Sequence, residues 1–336
     1  MRRWACVLTV LIGLSSFEAC GPSSFYYNCH TTDDINATTR SEVTTESLKF
    51  ARAAFDGDAP QAFDQLTGEA KKNVSQEQLT NIFQGIKASG PYDSLSVERL
   101  MTVTGRGHMQ QQTSVADCAK DTALTENNVR VAIANVPEQA YALVSAKGSH
   151  ENWFATLWLI PSSGKWQIQS FQVTMGTAAG KPVADILAMA RQEKSQGHTL
   201  NAGALYAGAA SLAAHGPFYH TGLEDVIQIE AQQVSPPQEF RQRPPFTLPG
   251  AGGSFSIVRL SPIAINGELY LVISQEVSSW KDSREIEQKN RSLIKTFASR
   301  FPEYQNAFAG LVAEATESGG TNGWRTVMEN SAIIGH

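Results

Sequence analysis

The segment from His215 to His220 brings together side chains that could do acid–base or metal chemistry. It holds two imidazoles and the phenol of Tyr219, with Gly216-Pro217 between the two histidines. A zinc-binding helix instead spaces its histidines as HExxH, which places both imidazoles on one face. Five residues across a Gly-Pro break do not bring two rings to one ion. The spacing therefore predicts neither a metal site nor a catalytic site here.

Other candidate residues have simpler explanations. Gly250, Gly252 and Gly253 could cradle a phosphate, but they precede a predicted strand and no Lys-Ser/Thr follows, which favours a linker. His108 and His150 fall in a predicted sheet and could serve as a general base in a pocket, although surface or core positions are more usual for histidine. The sequence has no GxSxG or catalytic-cysteine pattern. We expect no catalytic residue and no cofactor.

The N-terminus has the layout of an export signal. Arg2 and Arg3 precede an apolar run from Trp4 to Leu14, which rises only about 16 Å as a helix against a hydrocarbon core of roughly 30 Å. A charged start, a short apolar stretch and small residues before the cut are typical of a signal that is later removed. We assign residues 1–19 to this signal.

The residues at the cut resemble the lipobox of bacterial lipoproteins, in which a Leu-like residue and two small residues precede a lipidated cysteine. Ala19 and Cys20 match this pattern, Phe17 stands where Leu is usual, and Glu18 departs from it. The resemblance implies that acylated Cys20 anchors the chain in a bilayer of the cell envelope. Gly21 takes the position where Asp would favour the inner membrane, which implies the outer membrane. Secretion as a soluble or periplasmic protein is the alternative.

The chain has four cysteines, of which Cys6 leaves with the signal and Cys20 carries lipid. Two remaining thiols of an exported protein most simply pair, so we predict a disulfide between Cys29 and Cys118. Two unpaired thiols are the alternative. A metal site is disfavoured because neither cysteine belongs to a CxxC pair and His30 is a single neighbouring imidazole.

Composition excludes some functions. The net charge is −5 and becomes more negative without residues 1–19, so the chain lacks the basic field that nucleic acid requires. With 42% hydrophobic and 18% charged residues, the body is globular rather than disordered. Its length suggests about two domains.

Hydrophobic periodicity divides the first half of the chain. Residues 20–43 are rich in Ser, Thr, Asn and Asp and predict a tether. Helical spacing then begins near Ser47, and Ser75 with Gln78 forms the capping box of a further helix. After Pro91 the period changes to two, and the segments from Trp153 to Ile160 and from Trp166 to Val173 predict a hairpin. Helices followed by antiparallel strands predict an α+β domain over residues 44–176.

This part resembles exported bacterial domains of the nuclear transport factor 2-like superfamily. The similar phrases are Ala53-Ala54-Phe55-Asp56-Gly57-Asp58, Ala62-Phe63-Asp64-Gln65-Leu66, Ser75-Gln76-Glu77-Gln78-Leu79 and Gly90-Pro91-Tyr92, together with the terminal hairpin. The resemblance implies a cone, in which a curved antiparallel sheet wraps around the helices and often encloses a pocket. It implies no catalytic residue, because members of the superfamily range from enzymes to binding modules.

Aromatic residues of the strands would line a pocket if the cone is hollow. The candidates are Tyr141, Trp153, Trp158, Trp166 and Phe171. The alternative is that these side chains fill the core.

The second half of the chain predicts smaller units. Residues 177–234 form a helical connector, residues 235–254 are a Pro- and Gly-rich linker, and residues 318–336 are a loose tail. Residues 255–317 form a β-hairpin turned by Asn266-Gly267 and two helices, the second over Tyr304 to Glu317. We expect this smaller α/β region to follow the connector.

The sequence as a whole predicts a membrane-anchored envelope protein that binds a small ligand or an envelope protein, or acts as a scaffold. The alternative is an isomerase- or hydrolase-like enzyme with an acid–base pair in the cone pocket. An enzyme of that kind needs two titratable groups within hydrogen-bond reach inside a cavity.

Mass spectrometry of the N-terminal peptide tests the anchor. We expect the mature chain to begin at Cys20 and to carry acyl chains on that residue. An unmodified Cys20, or a chain that begins elsewhere, contradicts the prediction.

Overall fold

The computed structural model describes residues 26–88, 90–106, 113–118, 128–149, 151–250, 253–278, 283–317 and 323–334. Within them the chain has a mixed α/β fold with open, largely antiparallel sheets. Cys20, His108 and His150 lie outside the described residues.

The first part of the fold consists of four helices and seven strands in the described part of the chain. In chain order the elements are β1 (Tyr26–Thr31), a 3-10 turn (Thr32–Asp34), α1 (Ala37–Asp56), α2 (Ala59–Asp64), α3 (Ala70–Asn73), α4 (Gln76–Ala88), β2 (Tyr92–Arg106), β3 (Thr113–Asp117), β4 (Val129–Ala134), β5 (Glu138–Gly148), β6 (Asn152–Ser162) and β7 (Lys165–Met175). Before α4, Ser75 and Gln78 make the reciprocal bonds of the predicted capping box, at 2.7 and 3.1 Å.

The predicted tether over residues 20–43 is ordered from Tyr26 onward, which corrects the sequence interpretation. β1 forms an antiparallel ladder with β2, in which Tyr26 lies opposite Arg106 and Thr31 opposite Met101. α1 begins ten residues before the first strong periodicity, and the side chain of Asn36 caps it by accepting the Thr39 N–H at 2.9 Å. Backbone ladders and caps need no apolar periodicity, so composition alone misses them.

β1, β2, β5, β6 and β7 pair in that order into one antiparallel sheet. A second sheet of three strands consists of β3, β4 and a strand from the second half of the chain, β10 (Tyr219–Thr221), with β4 in the middle. Helices α1 and α4 cover one face of the larger sheet, where Phe50 and Phe83 pack with Leu157. The three-stranded sheet covers the other face, where Val131 packs with Tyr141. Both faces of the larger sheet are therefore buried.

The second part of the fold contains one mixed sheet and five further helices. Its elements are β8 (Thr177–Ala178), β9 (Lys181–Pro182), α5 (Val183–Ser195), α6 (Thr199–Ala213), β10 (Tyr219–Thr221), α7 (Gly222–Gln232), β11 (Phe246–Gly250), β12 (Gly253–Ile265), β13 (Glu268–Val277), α8 (Ser283–Arg300), β14 (Gly310–Glu317), β15 (Gly323–Glu329) and α9 (Asn330–Ile334), with 3-10 turns at Gln238–Phe240 and Pro302–Asn306. Strands β11 to β15 pair in chain order. The ladder between β13 and β14 is parallel, as the crossover through α8 requires.

The predicted hairpin around Asn266-Gly267 is confirmed by β12 and β13. The helix predicted over Tyr304 to Glu317 is wrong, because residues 310–317 form β14, an interior strand of the mixed sheet. Leu311, Val312 and Ala313 are all buried there. A strand buried on both faces has a continuous apolar run, which periodicity cannot distinguish from a helix.

Two further boundaries differ from the prediction. The linker over residues 235–254 contains β11, and the loose tail over 318–336 contains β15 and α9. Both strands lie at the edges of the mixed sheet, where hydrogen bonds from one neighbour hold a strand of weak apolar pattern.

The helical connector and the C-terminal sheet share one apolar core. Leu205 of α6 and Ile227 of α7 belong to the same buried cluster as Leu271 of β13 and Phe297 of α8. α6 approaches β12 closely, since a Cβ atom on Gly208 would lie 2.5 Å from the Cγ atom of Pro262. Residues 177–234 are therefore a layer of the C-terminal unit.

The structure joins Cys29 of β1 to Cys118, the residue after β3, in a disulfide across 89 positions. The backbone N–H of Asp117 also donates to the Tyr27 hydroxyl at 3.0 Å. The disulfide and this hydrogen bond therefore join β1 and β3, the edge strands of the two N-terminal sheets.

A double variant, Cys29→Ser with Cys118→Ser, should lower the free energy of unfolding by about 4 kcal/mol, because a loop of this length is freed in the unfolded chain. Urea denaturation measures the loss, and reduced wild-type protein should match the variant. Two free thiols in the denatured, unreduced wild type would contradict the disulfide.

Candidate functional site

In the described part of the chain, the five aromatic residues predicted to line a pocket lie at three separate places. Tyr141 and Trp158 stack at 6.0 Å between the two N-terminal sheets, where the Trp158 indole donates to Gln139 Oε1 at 3.0 Å. Trp166 and Phe171 pack on the opposite face against the helices. Trp153 borders a cavity of about 40 Å³, which is too small for a ligand. The core-filling alternative describes these side chains.

A different cavity lies between the N-terminal sheet and the segment that follows α6, and we call it the junction cavity. Its volume is about 150 Å³. It is lined by Arg99, Leu143, Phe154, Gly176, Pro182, Val183, Leu212, Ala213, His215, Thr221 and Leu223. Aliphatic and aromatic groups make up most of this wall, and Arg99 is its charged residue.

His215 enters the wall because the chain turns sharply after α6. Gly216 has φ of 105°, a conformation that favours glycine, and a Cβ atom there would lie 2.8 Å from the Cβ of Gln172. The imidazole packs edge-on against Phe154 at 5.7 Å and Tyr219 at 5.8 Å. Its Nδ1 atom is buried and has no hydrogen-bond partner in the described part of the chain.

Burial and the nearby charge of Arg99 lower the pKa of His215 to about 4. The imidazole is therefore neutral at pH 7. Burial raises the pKa of the neighbouring Tyr219, although the Arg99 charge opposes that shift. Because an effective general base has a pKa near the working pH, this pair is poorly matched to proton transfer and better suited to hydrogen bonding.

Arg99 reaches the cavity through an irregularity in β2. The ladder between β2 and β5 shifts register between Val97 and Arg99, and Arg99 then lies opposite Leu143. Arg99 is not among the residues that the sequence pattern singled out. The available signal was a cation directly before the apolar residues Leu100 and Met101 of the strand.

His220 does not join His215. Its Nε2 lies 2.9 Å from Asp225 Oδ1 and its Nδ1 lies 3.2 Å from Glu224 Oε2, while Arg130 contacts both oxygens of Asp225 at 2.8 and 2.7 Å. Glu224 also accepts the Thr221 N–H at 2.8 Å and so caps α7. His220 therefore belongs to the start of a helix. Among the described residues, no group of three or more His, Cys, Asp or Glu is placed to hold a metal.

Of the glycines considered as a phosphate cradle, Gly252 lies outside the described residues. Gly250 and Gly253 pair with each other between β11 and β12. Beside them is an open groove of about 1060 Å³ between β11 and α8. Two features make this groove a less suitable binding site than the junction cavity. Pro249 has no N–H to offer a peptide at this sheet edge, and Arg300 of the groove is held by Glu239 at 2.8 Å.

Neither a family model, nor a curated protein, nor a solved structure matches this chain at a significant level. None of the helices in the described ranges has both the length and the apolar character needed to cross a membrane.

His215→Phe should reduce the loss of stability in acid. The unfolded histidine takes up a proton below its ordinary pKa of 6.5 while the folded one stays neutral down to about pH 4, so stability falls as the pH drops through that window. His215 accounts for about 3 kcal/mol of the difference in the free energy of unfolding between pH 7 and pH 4. Urea denaturation at both pH values measures it. An unchanged pH difference in the variant would contradict the burial of a neutral imidazole.

Proposed function

We propose that the chain is a lipid-anchored protein of the cell envelope that binds a small carboxylate-bearing molecule in the junction cavity. The observation that carries the binding proposal is that Arg99 and the His215 nitrogen, which has no partner in the described part of the chain, line the same apolar cavity. A cation and a neutral donor in apolar surroundings favour an anion with a hydrocarbon tail.

The size of the cavity limits the ligand. A dry cavity of about 150 Å³ holds benzene, so six heavy atoms suit this one. A four-carbon carboxylate has that size. Its carboxylate would accept a charge-assisted bond from Arg99, and the tautomer of His215 protonated at Nδ1 would donate a second bond. Leu143, Phe154 and Leu212 would surround the hydrocarbon chain.

The pKa values of His215 and Tyr219 favour a binding function over the alternative of catalysis. The depressed pKa of His215 leaves a weak base, and the phenol of Tyr219 has a raised pKa. An acid–base pair for isomerisation or hydrolysis would need values nearer neutrality.

The anchor rests on the N-terminal sequence, where Arg2, Arg3, the apolar run and Ala19-Cys20 resemble a lipoprotein signal. The outer membrane is the proposed address because Gly21 follows the cysteine. A further envelope protein could bind to the exposed surface, as a scaffold would require.

We also propose a nuclear transport factor 2-like architecture for residues 44–176. In support, helices α1 and α4 lie on one face of an antiparallel sheet, and the predicted hairpin of β6 and β7 ends that sheet. The proposed ligand site lies outside the space between helices and sheet, where a cone pocket would be expected.

Isothermal titration with butyrate tests the ligand proposal, with butylamine and butan-1-ol as probes of equal length. Butyrate should bind, whereas the amine and the alcohol should not. Arg99→Gln should weaken butyrate binding about 10- to 100-fold, because a charge-assisted bond in a cavity is lost.

The matched control is Arg243→Gln, since Arg243 is exposed and lies outside the cavity. It should leave the affinity unchanged. Equal binding of all three probes, or equal losses in both variants, would overturn the proposal.

A further inference from the structure

The two edges of the C-terminal mixed sheet differ in their capacity to pair with a further strand. At one edge, Pro249 lies within β11 and Pro245 directly precedes it, and neither residue has an N–H to offer. At the other edge, β15 contains no proline and pairs only with β14 among the described strands. The outer side of β15 can therefore accept another strand.

The ladder between β14 and β15 identifies the residues that present backbone groups on that outer side. The Asn330 N–H donates to the Ala309 carbonyl at 3.0 Å, in continuation of the register of the ladder. Opposed residues of an antiparallel pair alternate between bonded and non-bonded positions. Glu329, Val327 and Arg325 therefore direct their N–H and C=O groups away from β14.

The side chains of these three residues lie on the face of the sheet opposite α8. Thr326 and Met328 alternate with them and are buried on the α8 side, where the Thr326 hydroxyl donates to a carboxylate of α8 at 2.6 Å. Val327 is 45% exposed, and Arg325 and Glu329 are exposed as well. On this face, the edge strand presents an apolar residue between a cation and an anion.

We propose that β15 pairs with β15 of a second copy of this chain, antiparallel and with Val327 opposite its own copy. In this register Arg325 of each copy lies opposite Glu329 of the other, and two ion pairs flank the contact between the valines. A strand whose charges complement its own reversed sequence suits a two-fold dimer. The proposal goes beyond the ligand site and the anchor and depends on neither.

Other two-fold registers fit less well. A two-fold axis at Arg325 would place two guanidinium groups opposite each other, and one at Glu329 would do the same with two carboxylates. The charges of the proposed register are also available. Glu329 makes no hydrogen bond or ion pair in the described part of the chain. Arg325 bonds to Glu314 through its Nε atom at 2.7 Å, which leaves the Nη groups for a second carboxylate.

The apolar contact continues a row of side chains that crosses the sheet. Val327 lies opposite Val312 of β14, which lies opposite Val272 of β13, and the last two are buried. Pairing of the two copies would extend this row from one sheet into the other and remove the exposed part of Val327 from water.

Sedimentation equilibrium tests the dimer, with the full-length chain carrying Cys6→Ser and Cys20→Ser so that neither lipid nor a free thiol contributes. We expect a reversible equilibrium of monomer and dimer with a Kd on the order of 10 μM, because a strand pair of seven residues is a small interface. Glu329→Arg should weaken the dimer about 10-fold or more, since both ion pairs become pairs of like charge.

The matched control is Glu42→Arg, which makes the same change of charge at an exposed position of α1. It should leave the equilibrium unchanged. A protein that stays monomeric well above the expected Kd, or equal weakening by both variants, overturns the proposal.

Val327→Cys in the same background tests the register. Opposed Cα atoms of a bonded pair are about 5.5 Å apart, within the range that a disulfide spans, so mild oxidation should give a covalent dimer. Val115→Cys is the control, because Val115 is 63% exposed on β3, and it should remain monomeric at the same concentration. Equal crosslinking of the two variants, or none at position 327, overturns the proposal.

Discussion

The five-stranded N-terminal sheet is apolar on both faces, and much of the molecule follows from the need to cover both. Every residue of β5 from Gln139 to Ala146 is buried, so neither set of its alternating side chains faces water. An open face of several hundred Å² would cost on the order of 10 kcal/mol, which is comparable to the net stability of a domain. Helices α1 to α4 supply one cover. The other comes from β3, β4 and a strand almost ninety residues further along the chain.

That distant strand interlocks the two halves of the molecule. β10 pairs with β4 in the N-terminal part, and α7 of the C-terminal core begins at the next residue, Gly222. The Gly222 N–H donates to the Asn128 carbonyl at 2.8 Å, next to the first residue of β4. The junction cavity lies beside this crossing and has walls from both halves. A ligand bound there would contact both halves of the molecule. Its binding would therefore stabilise their arrangement relative to each other.

The junction cavity also shows how the environment of a residue decides its chemistry. His215 and His220 are five positions apart, yet one is a buried neutral ring beside Arg99 and the other is held between two carboxylates at the start of α7. Burial removes the first from acid–base work at neutral pH and leaves it a hydrogen-bonding role. The second is occupied by its partners, so proximity in sequence confers no shared function.

Local signals in the sequence predict several elements: the capping box at Ser75, the turn at Asn266-Gly267, the amphipathic helices and the pairing of Cys29 with Cys118. The sequence also carries the whole case for an anchor at Cys20. The remaining elements depend on tertiary contacts, because β1, β11 and β15 are held by backbone hydrogen bonds to neighbouring strands rather than by their own apolar pattern. The apolar run of β14 is equally compatible with a helix. It forms a strand because it pairs with β13 in a parallel ladder. The pairing of Arg99 with His215, 116 positions later, depends on a β-bulge and a turn after α6, and no local signal encodes that distance.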